Sequence, residues 1–541
     1  VLFRSRLKEG EPTVVGQAGV SIIRKKKPAA LMRYGRNSTH AHDDILSYVY
    51  YKEGQEVSGD IGYGVYGTNA HYGWASKAIA HNTVVVNRDN MMVQNQLFKP
   101  FSGGELTTIY NDENVSVMEG DATSLYKSSG VSMYRRMVGL VNTVEGDSYT
   151  IDFFRVEGAR TADFAFHVFH DNSTVELQEA SPSHRTYWTL AGVDSPEKLY
   201  FDEPGKSFGE RLTTGETFVP LLPGEKPRLW TTALNNGYGY IYHVKEFKPD
   251  GSVFRALWTA EGGDKFYYYG LCRQEDRLFT GLAPSLDGDR KHGILVHRGT
   301  RPKVQFAVVT YCELKDGRDS RALRNPIREV VQLPAEGTDV TALAVHFTNG
   351  MVDYWVYSPA RQVIKVMAHG VEWKVSGRSG MLRLDSEGRV VEAHCTLATS
   401  MSYGEFQKTG REDKWFLVDQ VDETSGTVWV AAEPPVNYAP KYVRVRRKPG
   451  EESTIYTIKS LHQSGRRTAI KLTDSFILSK GIVQSATDTE IHTLYPVPLG
   501  VGLEGESPFI GKKIVGQFGG LGTITKAPEM KKFHVRVSRS F

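Results

Sequence analysis

His40 and His42, two positions apart in Arg33-Tyr-Gly-Arg-Asn-Ser-Thr-His40-Ala-His42-Asp43-Asp44, are the residues whose types and spacing point most directly to chemistry. In an extended chain, positions i and i+2 project from the same face, so the two imidazoles are expected to enter one space. Asp60 follows a run of strand character, and His81 leads into a β-branched run at 83–86. Adjacent strands would carry these groups to a common point. Two imidazoles and a carboxylate, with a position left for water, make a typical zinc set. The sequence holds 16 His in 541 residues, so a His-x-His arises readily by chance. His42 or His81 would serve equally as a hydrogen-bonded core histidine.

Other residues around this stretch suit an acidic sugar. Arg33 and Arg36 could each grip a carboxylate or sulfate through two parallel hydrogen bonds. A structural ion pair with Asp43 or Asp44 would use the same groups. Tyr63, Tyr66, Tyr72 and Trp74 offer flat apolar area with a polar edge, and one or two of them, Trp74 first, are expected to reach a cleft. In Phe166-His167-Val-Phe-His170 the histidines stand at i and i+3, on opposite faces of a strand, which argues against shared ligation. Gly500-Val-Gly502-Leu-Glu-Gly505 has dinucleotide-loop spacing, but Glu506-Ser507-Pro508 follows where a helix should open, so it reads as a glycine-rich turn. The basic runs at 24–27 and 444–448 read as solvated faces.

Strands must position these groups. The chain has 541 residues, 40% hydrophobic, 24% charged, with 53 Gly, 27 Tyr and 24 Phe, a composition that leans toward strands and turns in two to three domains. Short strand-like runs at 83–86, 149–156, 238–244, 266–271 and 304–310 are separated by Gly, Asn, Asp and Pro, and no long stretch has helical periodicity. The expected class is all-β, with sheet packed on sheet. Asn349-Gly350 predicts a type I′ hairpin between 340–348 and 351–358. Asp385-Ser-Glu-Gly388 predicts a second turn, and the hairpin after 334–337 reads as more of the same sheet. The expected division is a remnant at 1–13, a large antiparallel β-sandwich at 14–398 and a smaller β domain at 399–541. Val1-Leu-Phe-Arg-Ser5 looks like the translated end of a sequencing adapter and is set aside, and the chain is expected to be truncated at its N-terminus.

Cys272, Cys312 and Cys395 are odd in number and scattered, so they read as buried small apolar residues. The net charge of +4 suits an acidic ligand and falls short of a nucleic-acid-binding chain. No apolar run is long enough to insert in a membrane as a helix.

Taken together, His40-Ala-His42-Asp43, Val57-Ser-Gly-Asp60-Ile-Gly62-Tyr63, His71-Tyr-Gly-Trp74 and Ala80-His81-Asn82-Thr83-Val84 resemble, block for block, the metal-bearing region of the heparinase II/III family of polysaccharide lyases. The resemblance implies a supersandwich-like β fold followed by a C-terminal β domain, and an N-terminal α-toroid upstream that this chain lacks. It makes His40 the active-site histidine, His42, Asp60 and His81 the ligands of a structural Zn2+, and Arg33, Arg36, Tyr63 and Trp74 candidate substrate contacts. It also implies a periplasmic or secreted protein acting on an acidic polysaccharide.

A uronate lyase removes the C5 proton and expels the O4 leaving group, so its site must neutralise the C6 carboxylate and supply a base and an acid. The resemblance places a proton-transferring tyrosine and the neutralising residue on the toroid. His40 would then polarise the carboxylate or share proton transfer. The competing reading is a non-catalytic carbohydrate-binding β-sandwich. A glycoside hydrolase would need two opposed carboxylates, and no pair nominates itself.

Overall fold

In the computed structural model, the described residues are 12–15, 19–35, 42–62, 70–89, 103–169, 172–191, 236–285, 291–315, 324–410, 415–422, 425–431, 442–446, 453–473, 482–495, 510–511, 513–516, 519–529 and 531–537. His40, Arg36, Tyr63, Tyr66, His170, Asp287-Gly288 and the glycine cluster at 500–505 lie outside them. The described residues form antiparallel sheets with a few short helical turns, as the all-β expectation requires.

The centre of the structure is an eight-stranded sheet that includes Val115–Asp121, Met133–Asn142, Ser148–Glu157, Lys265–Leu271 and Lys303–Glu313. Strand alternation sends Val138, Leu140, Phe154, Val156, Phe306 and Val308 to one face. There they pack with a five-stranded N-terminal sheet and a six-stranded sheet containing Val84–Val86, Ala162–His167 and Lys291–Gly299. The opposite set, Met137, Val141, Ile151, Phe153, Ala307 and Val309, packs against Leu343, Val345, Trp355, Tyr357 and Met381 of another eight-stranded sheet. The central sheet is therefore covered on both sides. This explains why Ser148–Glu157 is buried through Val156 with no polar-out rhythm.

The third layer corrects two expectations and bears on a third. Residues 327–409 are not a continuation of the earlier sheets but a separate sheet stacked on the central one. At the expected 398/399 division lies strand Ala398–Tyr403, which pairs with Val371–Leu384 and then with Phe406–Thr409. The sheet ends only there. Short strands separated by turns give no local sign of which sheet they join. The Asn349-Gly350 loop forms the expected hairpin, but Gly350 alone is left-handed, at φ +84°. Gly350 N–H donates to the Phe347 carbonyl at 3.1 Å and Phe347 N–H to Met351 at 2.9 Å, which makes a type I turn closed by a left-handed glycine. Beyond Thr409, strands at 418–472 and at 483–537 build two further five-stranded sheets.

Polar clusters fasten the central sheet to the layer above. Arg378 grips buried Glu119, which also accepts from Tyr357 Oη at 3.1 Å. Arg383 binds Asp353 through Nε at 2.6 Å and Nη2 at 2.7 Å, and Tyr149 Oη donates to the same carboxylate at 2.8 Å. Glu392 accepts from Asn114 at 2.7 Å and lies 3.0 Å from His394. Burial opposes its ionisation, but the hydrogen bonds from His394 and Asn114, with Arg383 nearby, bring its carboxyl down to about 2. A carboxyl depressed on folding stabilises above its unfolded value and loses that contribution as pH falls through the folded one. Between about pH 4.5 and 2 the Glu392 contact should therefore release about 1 kcal/mol. Acid unfolding followed by tryptophan fluorescence should show this component in the wild type and not in Glu392→Gln; identical acid profiles would refute it.

Cys272, Cys312 and Cys395 are buried and free, as expected. The basic run at 24–27 is not simply solvated. Lys25 is buried, and its Nζ donates to the Asp112 and Glu113 carbonyls, at 3.1 Å for the latter. Burial lowers the Lys25 ammonium to about 8 against the attraction of Asp112. Among the described residues, no helix is long and apolar enough to cross a membrane.

Candidate metal centre

Three segments deliver His42, Asp60 and His81 to one place. His42 follows strand Pro28–Arg33 and lies in an irregular turn rather than in a strand. Asp60 comes just after Gln55–Ser58, and His81 leaves a short 3-10 turn at Ala78–Ala80 before strand Val84–Val86. One donor atom from each lies within 4.8 Å of the others, the sole such His/Cys/Asp/Glu group among the described residues. His42 Nδ1 is 3.7 Å and His81 Nδ1 3.4 Å from Asp60 Oδ2, with the imidazole centroids 5.3 Å apart.

These separations suit a metal. Tetrahedral ligation at about 2.0–2.1 Å places neighbouring donor atoms roughly 3.3–3.4 Å apart. Both imidazoles are buried, His81 almost completely, while Asp60 is 38% exposed, so the cluster opens to solvent on the carboxylate side. His81 Nε2 lies 2.9 Å from the Ala75 carbonyl, which only accepts. Nε2 therefore carries a proton, which leaves Nδ1 to face Asp60, as a donor when the imidazole is charged and as a ligand when it is neutral. Asp60 Oδ1 accepts from Gly62 N–H at 2.8 Å, in a turn where Gly62 adopts φ +91°, strained for any residue with a Cβ. Burial raises the Asp60 carboxyl, but the His81 charge and the hydrogen bonds from both histidines outweigh it and hold Asp60 well below the usual carboxylate range. The donor set and its spacing fit a metal ion.

Two expected substrate contacts are employed otherwise. Arg33 forms an ion pair with Asp44, and its Nη1 donates to the His42 carbonyl at 3.1 Å, so it braces the backbone of a ligand. Trp74 is fully buried, donates from Nε1 to the Pro284 carbonyl at 3.1 Å and stacks on Tyr240. An all-β core consumed the aromatic that looked most available.

The residues after His81 do work that spacing did not reveal. Asn82 donates to Ser58 Oγ and to the His167 carbonyl at 3.1 Å, and accepts from His167 N–H at 2.8 Å. It thus ties the strand before Asp60 to the strand beside His81. Thr83 Oγ1 reaches the Ile45 carbonyl at 3.0 Å, joining the same segment to the turn after His42. Beneath them, fully buried Arg136 donates from Nη1 to the carbonyls of Asn82 at 2.5 Å and Leu46 at 2.6 Å. Asn82 and Thr83 were at least visible as part of the block containing His81. Arg136, inside an ordinary strand, had no local signature.

Asn82→Ala should weaken metal binding about 10–100-fold while leaving all three candidate ligands in place, the range for a supporting residue. Isothermal titration with zinc reads this directly, and unchanged affinity would show that Asn82 does not set ligand register.

Stacked antiparallel sheets bearing a two-histidine, one-carboxylate cluster define the structural class. Residues 11–218 match the family described as Heparinase II/III-like, C-terminal. The exo-oligoalginate lyase of Saccharophagus degradans is 23% identical over 363 residues, covering 62% of this chain and 43% of that protein. The crystal structure of heparinase III aligns with a TM-score of 0.38 and 11% identity, covering 65% of this chain and 43% of the other. The heparan sulfate lyase HepC from Pedobacter heparinus aligns at 0.37 and 13%, covering 68% and 42%. The chain thus spans less than half the length of these relatives.

Proposed function

We propose that the chain is the β portion of a polysaccharide lyase that cleaves a uronic-acid-containing polysaccharide by β-elimination. The observation that supports this best is the His42, Asp60 and His81 cluster, set at metal-ligand spacing inside the stretch matched by the family. The named relatives are lyases of alginate and heparan sulfate, both acidic polysaccharides.

In this reading His42, Asp60 and His81 hold Zn2+, which supplies a rigid cross-link. Elimination needs no activated water, so the ion is structural. By fixing His42 it orients the short segment that presents His40 to the cleft. In this reading His40 contacts the substrate carboxylate or shares proton transfer, and Arg36 and Tyr63 are further candidate substrate contacts. The tyrosine that moves the C5 proton and the group that neutralises the carboxylate belong to an α-toroid upstream. A periplasmic or secreted location suits a polymer substrate.

The test joins the chain to an upstream toroid domain and assays heparin, heparan sulfate, chondroitin and alginate. Elimination leaves an unsaturated uronate that absorbs in the near ultraviolet, whereas hydrolysis leaves none. One polymer should give that chromophore, and His40→Ala should abolish it while retaining zinc. Full turnover in His40→Ala would remove its catalytic role, and chain cleavage without absorbance would exclude a lyase.

A further inference from the structure

The last sheet has one apolar face and one polar face on which cations outnumber carboxylates. In its central strand, Lys532–Val537, Phe533 and Val535 enter a small core with Ile491, Ile524 and Ala527, while Lys532, His534 and Arg536 project from the other side. Register extends that side across the neighbouring strands. His534 stands opposite both Glu490 and Lys526, Lys532 opposite His492 and Glu529, and Arg536 opposite Thr523, which in turn faces Lys513. Lys513, Lys526 and Arg536 are exposed. Glu490 is shared, lying 3.2 Å from Lys532, 3.3 Å from His534 and 3.5 Å from His492.

Sheet stability alone does not account for this pattern. Lysines commonly protect edge strands from unwanted pairing, but Lys532–Val537 is the middle strand of five. Opposite charges across a pair stabilise a sheet and like charges destabilise it. Lys526 facing His534 is the unfavourable choice at any pH where both are charged. The whole chain carries 66 basic and 62 acidic residues, so the excess of cations over Glu490 and Glu529 on this face is local, not compositional.

We propose that this face binds an acidic polysaccharide, with Lys526 and Arg536 as its principal contacts. Positions on one face repeat about 6.8 Å along a strand and about 4.8 Å between strands, so a flexible polyanion can reach several of these cations at once. Anionic groups laid over this face relieve the repulsion between its cations. The identity of the occupant rests on the acidic-polysaccharide reading above, but the measurement is retention and requires no turnover. Loss of lyase activity would leave this surface unaffected.

The experiment uses the full chain and affinity electrophoresis through gels containing alginate, heparin or neutral dextran. Lys526→Glu/Arg536→Glu should weaken alginate and heparin binding roughly tenfold at low salt, with no change in dextran. Lys526→Gln/Arg536→Gln should give a smaller loss with an unaltered unfolding midpoint. Lys245→Glu/Lys248→Glu makes the same net-charge change on exposed residues of another sheet and should retain binding. Equal losses in the two charge-reversal variants would overturn the proposal, as would no loss in the first. Tighter binding to duplex DNA than to alginate at equal ionic strength would overturn the choice of partner.

Discussion

Arg136→Ala is expected to destabilise the protein by about 3–5 kcal/mol, the cost of leaving a buried charge without its partner. Arg136 is fully buried, and its guanidinium meets Asp152 through Nε at 3.0 Å and Nη2 at 2.5 Å. Burial raises the Asp152 carboxyl, and Arg136 is what draws it back toward ionisation. The remaining donors hold the carbonyls of Leu46 and Asn82, and the cation lies about 5 Å from the rings of Tyr48, Phe154 and Phe164. Leu46 also sits at φ +59°, a left-handed conformation that costs a β-carbon-bearing residue about 1–3 kcal/mol unless its surroundings impose it. Removing Arg136 therefore releases two loops that flank metal ligands. Urea unfolding should show the loss, and zinc affinity should fall with it. The double variant Arg136→Met/Asp152→Leu should recover much of the stability, since the unpaired charge goes with its partner. A single variant within about 1 kcal/mol of wild type would mean that the pair is not what holds this layer.

The second large effect concerns the ion. His42→Ala should lose zinc and thermal stability together, because a ligand set that forms only in the folded chain stabilises it by mass action. With zinc at a thousand times its dissociation constant, that contribution is about 4 kcal/mol. Chelation of the wild type should lower its unfolding temperature to near that of His42→Ala, and chelator should leave the variant unchanged. If zinc-free wild type unfolds at the same temperature as the loaded protein, the site does not brace the fold. His81→Ala should be more damaging, because it also leaves the Ala75 carbonyl without its imidazole donor.

The sequence was most informative where chemistry is carried by residue type. His42, Asp60 and His81 were nominated from side-chain identity and flanking strand character, and their donor atoms do lie together. The all-β class followed from short β-branched and aromatic runs, because strand length and turn residues are local properties. Long-range partnership was not visible. Arg33 looked equally suited to sugar and to Asp44, and only the fold puts the latter within reach. Trp74 looked like a sugar platform because nothing local says that Tyr240 and Pro284, far along the chain, will cover it. The third layer went unrecognised for the same reason: a strand does not encode which sheet it will join. At Asn349-Gly350 the dipeptide fixed the position of the reversal, while a three-residue loop selected its type.

The doubly covered central sheet has a consequence for how this gene can drift. On a sheet with one wet side, random substitution is tolerated at every second position. Along Ser148–Glu157 that rhythm should vanish, since Phe153 and Phe154 point into different interiors and neither meets water. A deep mutational scan of this strand should record an unbroken block of intolerance from Ser148 through Val156, although none of the three candidate ligands lies on it.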